Sequence, residues 1–319
     1  MTKPQTQHEP PDPLTKEALQ AFDDLSGGVH PGFRPAHAKG ILLAGTFIPA
    51  PNIASLTRAP HVNRPSIRVE ARFSDFAGVP TVPDFDEQNA SPRGFALRFY
   101  LGDHAHTDII GHSVDAFPTR TAEEFVEFLH AVRDSGPGAA KPTPVEKFLG
   151  SHPAALAFVQ APKPIPTSFA KESYFSVSAY KFINKDGVVK FGRYRILPVD
   201  APEHLDSATA AKQSPDFLFE EMKNRLAHGP VKMRIVVQIA KEGDVVDDAT
   251  KPWPADRPLM DFGTVALHGA VPDEVAAQRQ IIFDPIPRVD GIESSGDPLL
   301  EPRANLYVVS GRRRRSAAV

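Results

Sequence analysis

The sequence predicts an α+β fold, an antiparallel β-barrel carrying accessory helices, and three observations lead there. Apolar and polar residues alternate over several separated runs, the two-residue period of strands with one buried face. Turns and long excursions divide those runs, which fits a closed barrel and not a doubly wound parallel sheet. Helical signals are confined to a few short stretches with recognisable caps.

Residues 1 to 28 are expected to form a flexible lead with one short helix, Thr15 to Leu25, in which Ala18, Phe22 and Leu25 recur at helical spacing and are placed to dock on the body. Residues 29 to 319 contain no linker and are expected as a single domain. From Ser66 to Ala77 the chain sets Ile67, Val69, Ala71 and Phe73 on one side and Arg68, Glu70, Arg72 and Ser74 on the other. Gly102-Asp103 marks a hairpin tip, which makes His104 and His106 solvent-facing rather than a metal arm. Thr121-Ala-Glu-Glu124 is a capping box opening a helix that carries Phe125, Phe128, Leu129 and Val132 at helical spacing. Tyr174 to Ile183 and Val231 to Ala240 are further period-two runs, and a helix ends at Gly229. The 33 prolines, in segments such as Ala161 to Pro166 and Pro252 to Pro258, imply wrapping loops. The last element is a helix running from about Asp297 to the basic run Arg312 to Arg315. On it Arg303 lies four residues before Tyr307 and Arg314 seven beyond, so the three share a stripe that sets a phenol between two guanidiniums. A close cation favours the phenolate, the form that binds ferric iron, which makes Tyr307 a candidate haem ligand. Arg312, Arg313 and Arg315 read as a solvated helix end complementing the macrodipole.

Composition narrows the function classes. A net charge of −3 over 319 residues offers no field for nucleic acid or an anionic membrane surface. No apolar stretch approaches 18 residues and Met1 to Asp12 lacks the apolar centre of a signal peptide, so a cytoplasmic protein is expected. With no cysteine the chain has no disulfide, thiolate ligand, zinc-thiolate site or cysteine nucleophile. No GxGxxG, Walker loop, HExxH or GxSxG elbow occurs, which removes the commonest nucleotide, zinc-protease and hydrolase readings.

Three segments together resemble the haem catalases. Phe283-Asp-Pro, Gly291-Ile-Glu293, Ser295, Asp297-Pro298, Leu300, Arg303 and Tyr307 match, in order, that family's proximal haem segment, in which the Tyr is the axial iron ligand. Arg34-Pro-Ala-His-Ala-Lys-Gly40 matches the segment of the distal catalytic His, which assigns His37 as general acid-base. Arg72-Phe-Ser74 matches an Arg-Phe-Ser whose Arg reaches a haem propionate and whose Ser hydrogen-bonds the distal His. The resemblance thus implies a propionate clamp of Arg34, Arg72 and Arg314. Weaker echoes, including Pro92 to Phe99, Lys181-Phe182, Arg225-Leu-Ala and Trp253-Pro254, extend the match from about residue 30 to the end.

One departure stands out. Catalases carry a Gly-Asn-Asn-Thr-Pro segment over the haem, and the matching place here is Gly111-His-Ser-Val-Asp115, so His112 takes the Asn slot with Ser113 as the fallback donor. Phe117 and Phe125 fall where the family keeps aromatic rings in its substrate channel, although core packing explains them equally. The match runs to the sequence's last residue, Val319, so the protein is expected to lack the C-terminal helical extension of ordinary catalases. The resemblance implies a minimal, catalase-related peroxidase binding haem b, acting on peroxide with small organic electron donors, and it leaves room for a homodimer. The alternatives are a true peroxide-dismutating catalase, an isomerase of lipid hydroperoxides like the allene oxide synthases, and a non-enzymatic haem-binding protein, against which His37 with Ser74 argues.

Overall fold

In the computed structural model, which describes residues 11–317, eight antiparallel strands close into a barrel. The strands in chain order are β1 (Gly40–Pro49), β2 (Ile67–Ser74), β3 (Gly94–Gly102), β4 (Ala105–His112), β5 (Ile165–Pro166), β6 (Tyr174–Phe175), β7 (Tyr180–Ile183), β8 (Val189–Pro198), β9 (His204–Leu205), β10 (Val231–Ile239), β11 (Leu259–Ala270) and β12 (Ile292–Ser294). The helices are α1 (Pro13–Leu25), α2 (Ala122–Arg133), α3 (Pro144–Ser151), α4 (Pro153–Gln160), α5 (Ser207–Ala210), α6 (Phe217–His228), α7 (Glu274–Gln280) and α8 (Leu300–Ser316). The ring runs β10-β11-β1-β2-β3-β4-β6-β8 and closes through β8 on β10; β7 and β12 continue outward from β8, and β5 pairs with β9 alone. Closure leaves no edge strand within the ring. No helix among the described residues is long and apolar enough to cross a membrane.

The alternation in β2 explains where the site lies. Ile67, Val69, Ala71 and Phe73 enter the barrel core with Phe47, Phe95, Phe99, Phe182 and Phe262. The opposite face would ordinarily meet water, yet Glu70, Arg72 and Ser74 are also buried. They are covered from outside: Leu42 on the outer face of β1 packs with Val271, Ile281 and Phe283, and Ala44, Ala96, Ile110 and Ala277 pack around them. Register then lays a row across four strands, Gly40 opposite Ser74, Ser74 opposite Gly94, and Gly94 opposite His112. Opposed residues share a face, so Ser74 and His112 flank a glycine on the barrel's outer wall.

Several local expectations need adjusting. The run Tyr174 to Ile183 is two short strands, β6 and β7, with an irregular break between them. Thr121 caps α2 by accepting from Glu124 N, but the Glu124 carboxylate accepts from Arg120 N and so does not complete the reciprocal half of a capping box. Within the lead, α1 docks on α2 and α8; Phe22 packs on Phe125 at 6.0 Å and Asp23 pairs with Arg313 at 2.6 Å. Residues 1–10 of that lead lie outside the described residues.

Candidate haem site

His37 sits in the left-handed region, at φ 57°. The conformation is uncommon for a residue with a side chain, though His is among the types enriched there. Two ladder-like bonds hold it, His37 N to Phe76 O at 2.6 Å and Ala38 N to Ala77 O at 2.9 Å. Next along the chain, Lys39 is buried and reaches Asp84 at 2.5 Å and the Pro215 carbonyl at 2.9 Å, which pins the segment to the loop before α6. The fold thereby aims the imidazole at Ser74, whose Oγ lies 3.1 Å from Nδ1. Gly94 leaves the room for this pair, because a Cβ there would stand 2.5 Å from Ser74 Oγ and 2.6 Å from His37 Nδ1. Burial, then the charges of Arg72, His112 and Arg34, lower His37 to about 3, against a smaller opposing pull from the Asp75 main chain. Burial thus favours the neutral ring, with a ring nitrogen free to accept a proton.

His112 is within electrostatic reach of His37. Its Nδ1 accepts from Val114 N at 3.3 Å, so in the neutral ring the proton resides on Nε2, which is left as a donor. Burial and the nearby charges of Arg303 and Lys163 hold His112 at about 3. Ser113 is turned elsewhere, its Oγ accepting from Arg93 N at 2.9 Å.

On α8, Arg303 donates to the Tyr307 hydroxyl at 3.4 Å from Nε and 3.3 Å from Nη2. Burial opposes the charge of Arg303, yet the Tyr307 and Tyr180 phenols hold its guanidinium above the usual value. The second guanidinium expected beside the phenol is not bonded to it. Arg314 reaches instead to Ser310 Oγ at 2.9 Å and the Ile281 carbonyl at 2.8 Å, because a heptad on a straight helix drifts from the stripe and a backbone acceptor waits on that side.

Arg314 belongs with Arg34 and Arg72. Arg34 donates to the carbonyls of Gln278 and Ile281, both at 3.2 Å, and Arg72 to the Gln278 side chain at 2.7 Å and the Ala38 carbonyl at 3.1 Å. Each acceptor of these arginines is neutral. Burial and mutual repulsion push Arg72 down to about 9 and Arg34 well below its ordinary value, while burial and then Arg315 lower Arg314 to about 10. Arg314 Nε is buried without a partner. Such a concentration of unneutralised guanidinium is costly unless carboxylates enter it, and the phenol of Tyr307 supplies an oxygen donor suited to ferric iron. The donor set fits a haem with its two propionates.

A catalase family model matches residues 31–318. The chain belongs to the catalase family. A catalase-related peroxidase of Mycolicibacterium paratuberculosis is 34% identical over 298 residues, 91% of this chain and 92% of the relative. Another from Synechococcus elongatus is 33% identical, covering 94% and 89%. Among solved structures, catalase A of Saccharomyces cerevisiae aligns with TM-score 0.78 at 22% identity, over 98% of this chain and 67% of that one. A fungal catalase aligns equally well over 66% of its length, so the chain spans about two thirds of these catalases. Membership implies a haem cofactor and peroxide as substrate.

Within this catalase-family chain the structure brings together Arg34, His37, Arg72, Ser74, His112 and Arg314, and joins Arg303 to Tyr307. Phe117 and Phe125 pack on each other at 5.0 Å, Phe117 beside Val177, Ala249 and Leu299 and Phe125 against Phe22; their contacts are those of core rings. Gln278 and Gly94 join the site without any sequence-based expectation of a role. The Pro92-Arg-Gly echo contained Gly94, whereas nothing local marks Gln278, 206 residues from Arg72.

Proposed function

We propose that this catalase-family protein is a peroxidase that holds haem b and reduces hydrogen peroxide or organic hydroperoxides with organic electron donors, dismutating hydrogen peroxide only weakly. The observation that carries the reading is a buried, neutral His37 oriented by Ser74 beside a clamp of three guanidiniums. Arg34, Arg72 and Arg314 would hold the propionates and Tyr307 the iron, and a chain without cysteine has no thioether link, which favours the non-covalent b type. When bound, the haem supplies the electrons that cleave the peroxide O–O bond.

The protein's part is proton handling and orientation. With Nδ1 engaged by Ser74, His37 uses Nε2 to take the proton of the near peroxide oxygen and return it to the far one, so that water or an alcohol leaves. His112 Nε2 donates to the same peroxide, from the place that the resemblance to catalases gives to an Asn amide. Dismutation needs a second hydrogen peroxide aligned by these donors, and a bulkier imidazole in the Asn place hinders that alignment more than it hinders electron transfer from an organic donor.

The test uses hemin-loaded protein with hydrogen peroxide and cumene hydroperoxide, following oxygen evolution and phenolic dye oxidation on one preparation. Dye oxidation should dominate, Tyr307→Phe should lose the ferric spectrum, and His37→Ala should keep haem while slowing peroxide reduction roughly 10²–10⁴-fold. Rapid oxygen evolution with negligible dye oxidation would make the protein a true catalase.

A further inference from the structure

Gln278 on α7 touches two of the three buried arginines. Its side-chain Oε1 accepts from Arg72 Nε at 2.7 Å, and its main-chain carbonyl accepts from Arg34 Nη1 at 3.2 Å. The amide Nε2 donates to the Gly40 carbonyl at 3.0 Å and to Glu274 Oε1 at 3.1 Å. Glu274, one turn earlier, also accepts from Leu42 N at 2.8 Å, and Leu42 is the residue paired with Arg72 across β1 and β2. A neutral amide thus stands between a buried guanidinium and a carboxylate on the same side of the barrel wall. The Glu274 charge acts on the Arg72 guanidinium, and the amide is what stands between them. A bidentate Arg–carboxylate pair is roughly twice as strong as a neutral hydrogen bond and would occupy the N–H groups that a propionate needs.

We propose that Gln278 is a positioning residue, holding Arg72 with a neutral acceptor and keeping Glu274 away from it, so that the guanidinium remains available to the haem propionate. The proposal rests on the haem reading above. Gly40 serves the same arrangement, because a Cβ there would run into the Arg72 guanidinium.

The experiment measures transfer of hemin from the loaded protein to excess apomyoglobin. Gln278→Met, which keeps the volume and loses the amide, should release hemin about tenfold faster. Adding Glu274→Gln should bring the rate back to within about twofold of wild type, because a neutral acceptor again faces Arg72. A merely structural Gln278 would give no such rescue, since the second substitution removes a further charge-assisted bond. Gln278→Glu, which pairs with Arg72 directly but sets a carboxylate oxygen against the Gly40 carbonyl and Glu274 where the amide donated, should likewise release hemin faster. An unchanged rate in Gln278→Met, no rescue in the double variant, or slower release from Gln278→Glu overturns the proposal. Failure of the wild-type chain to take up hemin at all would instead remove the haem reading itself and this proposal with it.

Discussion

At the scale of single residues, the site depends on space as much as on chemistry. His37 accepts a left-handed backbone, a cost on the order of 1–2 kcal/mol for a residue with a Cβ, and main-chain bonds to Phe76 and Ala77 offset it. The ring then occupies volume that any side chain at position 94 would claim. Gly94→Ala should therefore push His37 away from Ser74 while leaving the arginine clamp intact. The expected outcome is peroxide reduction slowed on the order of 10²-fold with hemin affinity within a few-fold of wild type, read by stopped-flow mixing and hemin titration. Reduction at the wild-type rate would show that the Ser74–His37 contact is dispensable.

Among the elements, α8 is held less by an apolar stripe than by what its arginines reach. Its buried positions are Leu300, Ala304, Ser310, Gly311 and Arg314, and Gly311 admits Ile282 where a Cβ could not stand. Arg313, expected as part of a solvated helix end, forms a bidentate pair with Asp23 of α1 instead, because docking of α1 brings a carboxylate from 290 residues away. Arg312 remains exposed, and Arg315, also exposed, bonds the Gln280 carbonyl. With Asp23 nearly buried and Arg313 about a third exposed, the pair contributes about 1 kcal/mol after solvent screening. Asp23→Asn should lower the thermal midpoint by a few degrees and open Lys16 on α1 to trypsin first. Equal cleavage rates in both chains would mean that Phe22 packing alone holds α1.

For the whole molecule, buried neutral histidines set the response to acid. His37, His61 and His112 all lie near 3, each through burial first, against 6.5 in an open chain. His61 is the cleanest case, its ring against Phe99 at 4.7 Å and Phe262 at 5.6 Å and its Nδ1 without a partner. Below pH 6.5 the unfolded chain binds protons that the folded one refuses, so the stability these groups preserve is complete above that pH and declines as pH falls toward 3. Urea midpoints should hold steady at neutral pH and fall through that window, with a shallower fall in His61→Phe. Parallel curves for the two chains would count against His61 as a contributor.

The sequence by itself determined the barrel's inner face and most of the site's chemistry, because both are written locally. Period two in β2 places Phe73 inward and Ser74 outward wherever the strand lies, and Arg303 four residues before Tyr307 share a helix face in any fold that keeps the helix. Register and partner were decided only in three dimensions. Pairing of β1 to β4 lined up Gly40, Ser74, Gly94 and His112, docking of α1 gave Arg313 a carboxylate partner, and α7 turned Arg72 toward an amide instead of a carboxylate. Arg314 left its stripe for the Ile281 carbonyl on the same ground. A buried guanidinium bonds whichever acceptor the fold delivers, and that acceptor comes from strand register and helix docking, which span hundreds of residues and leave no local periodicity.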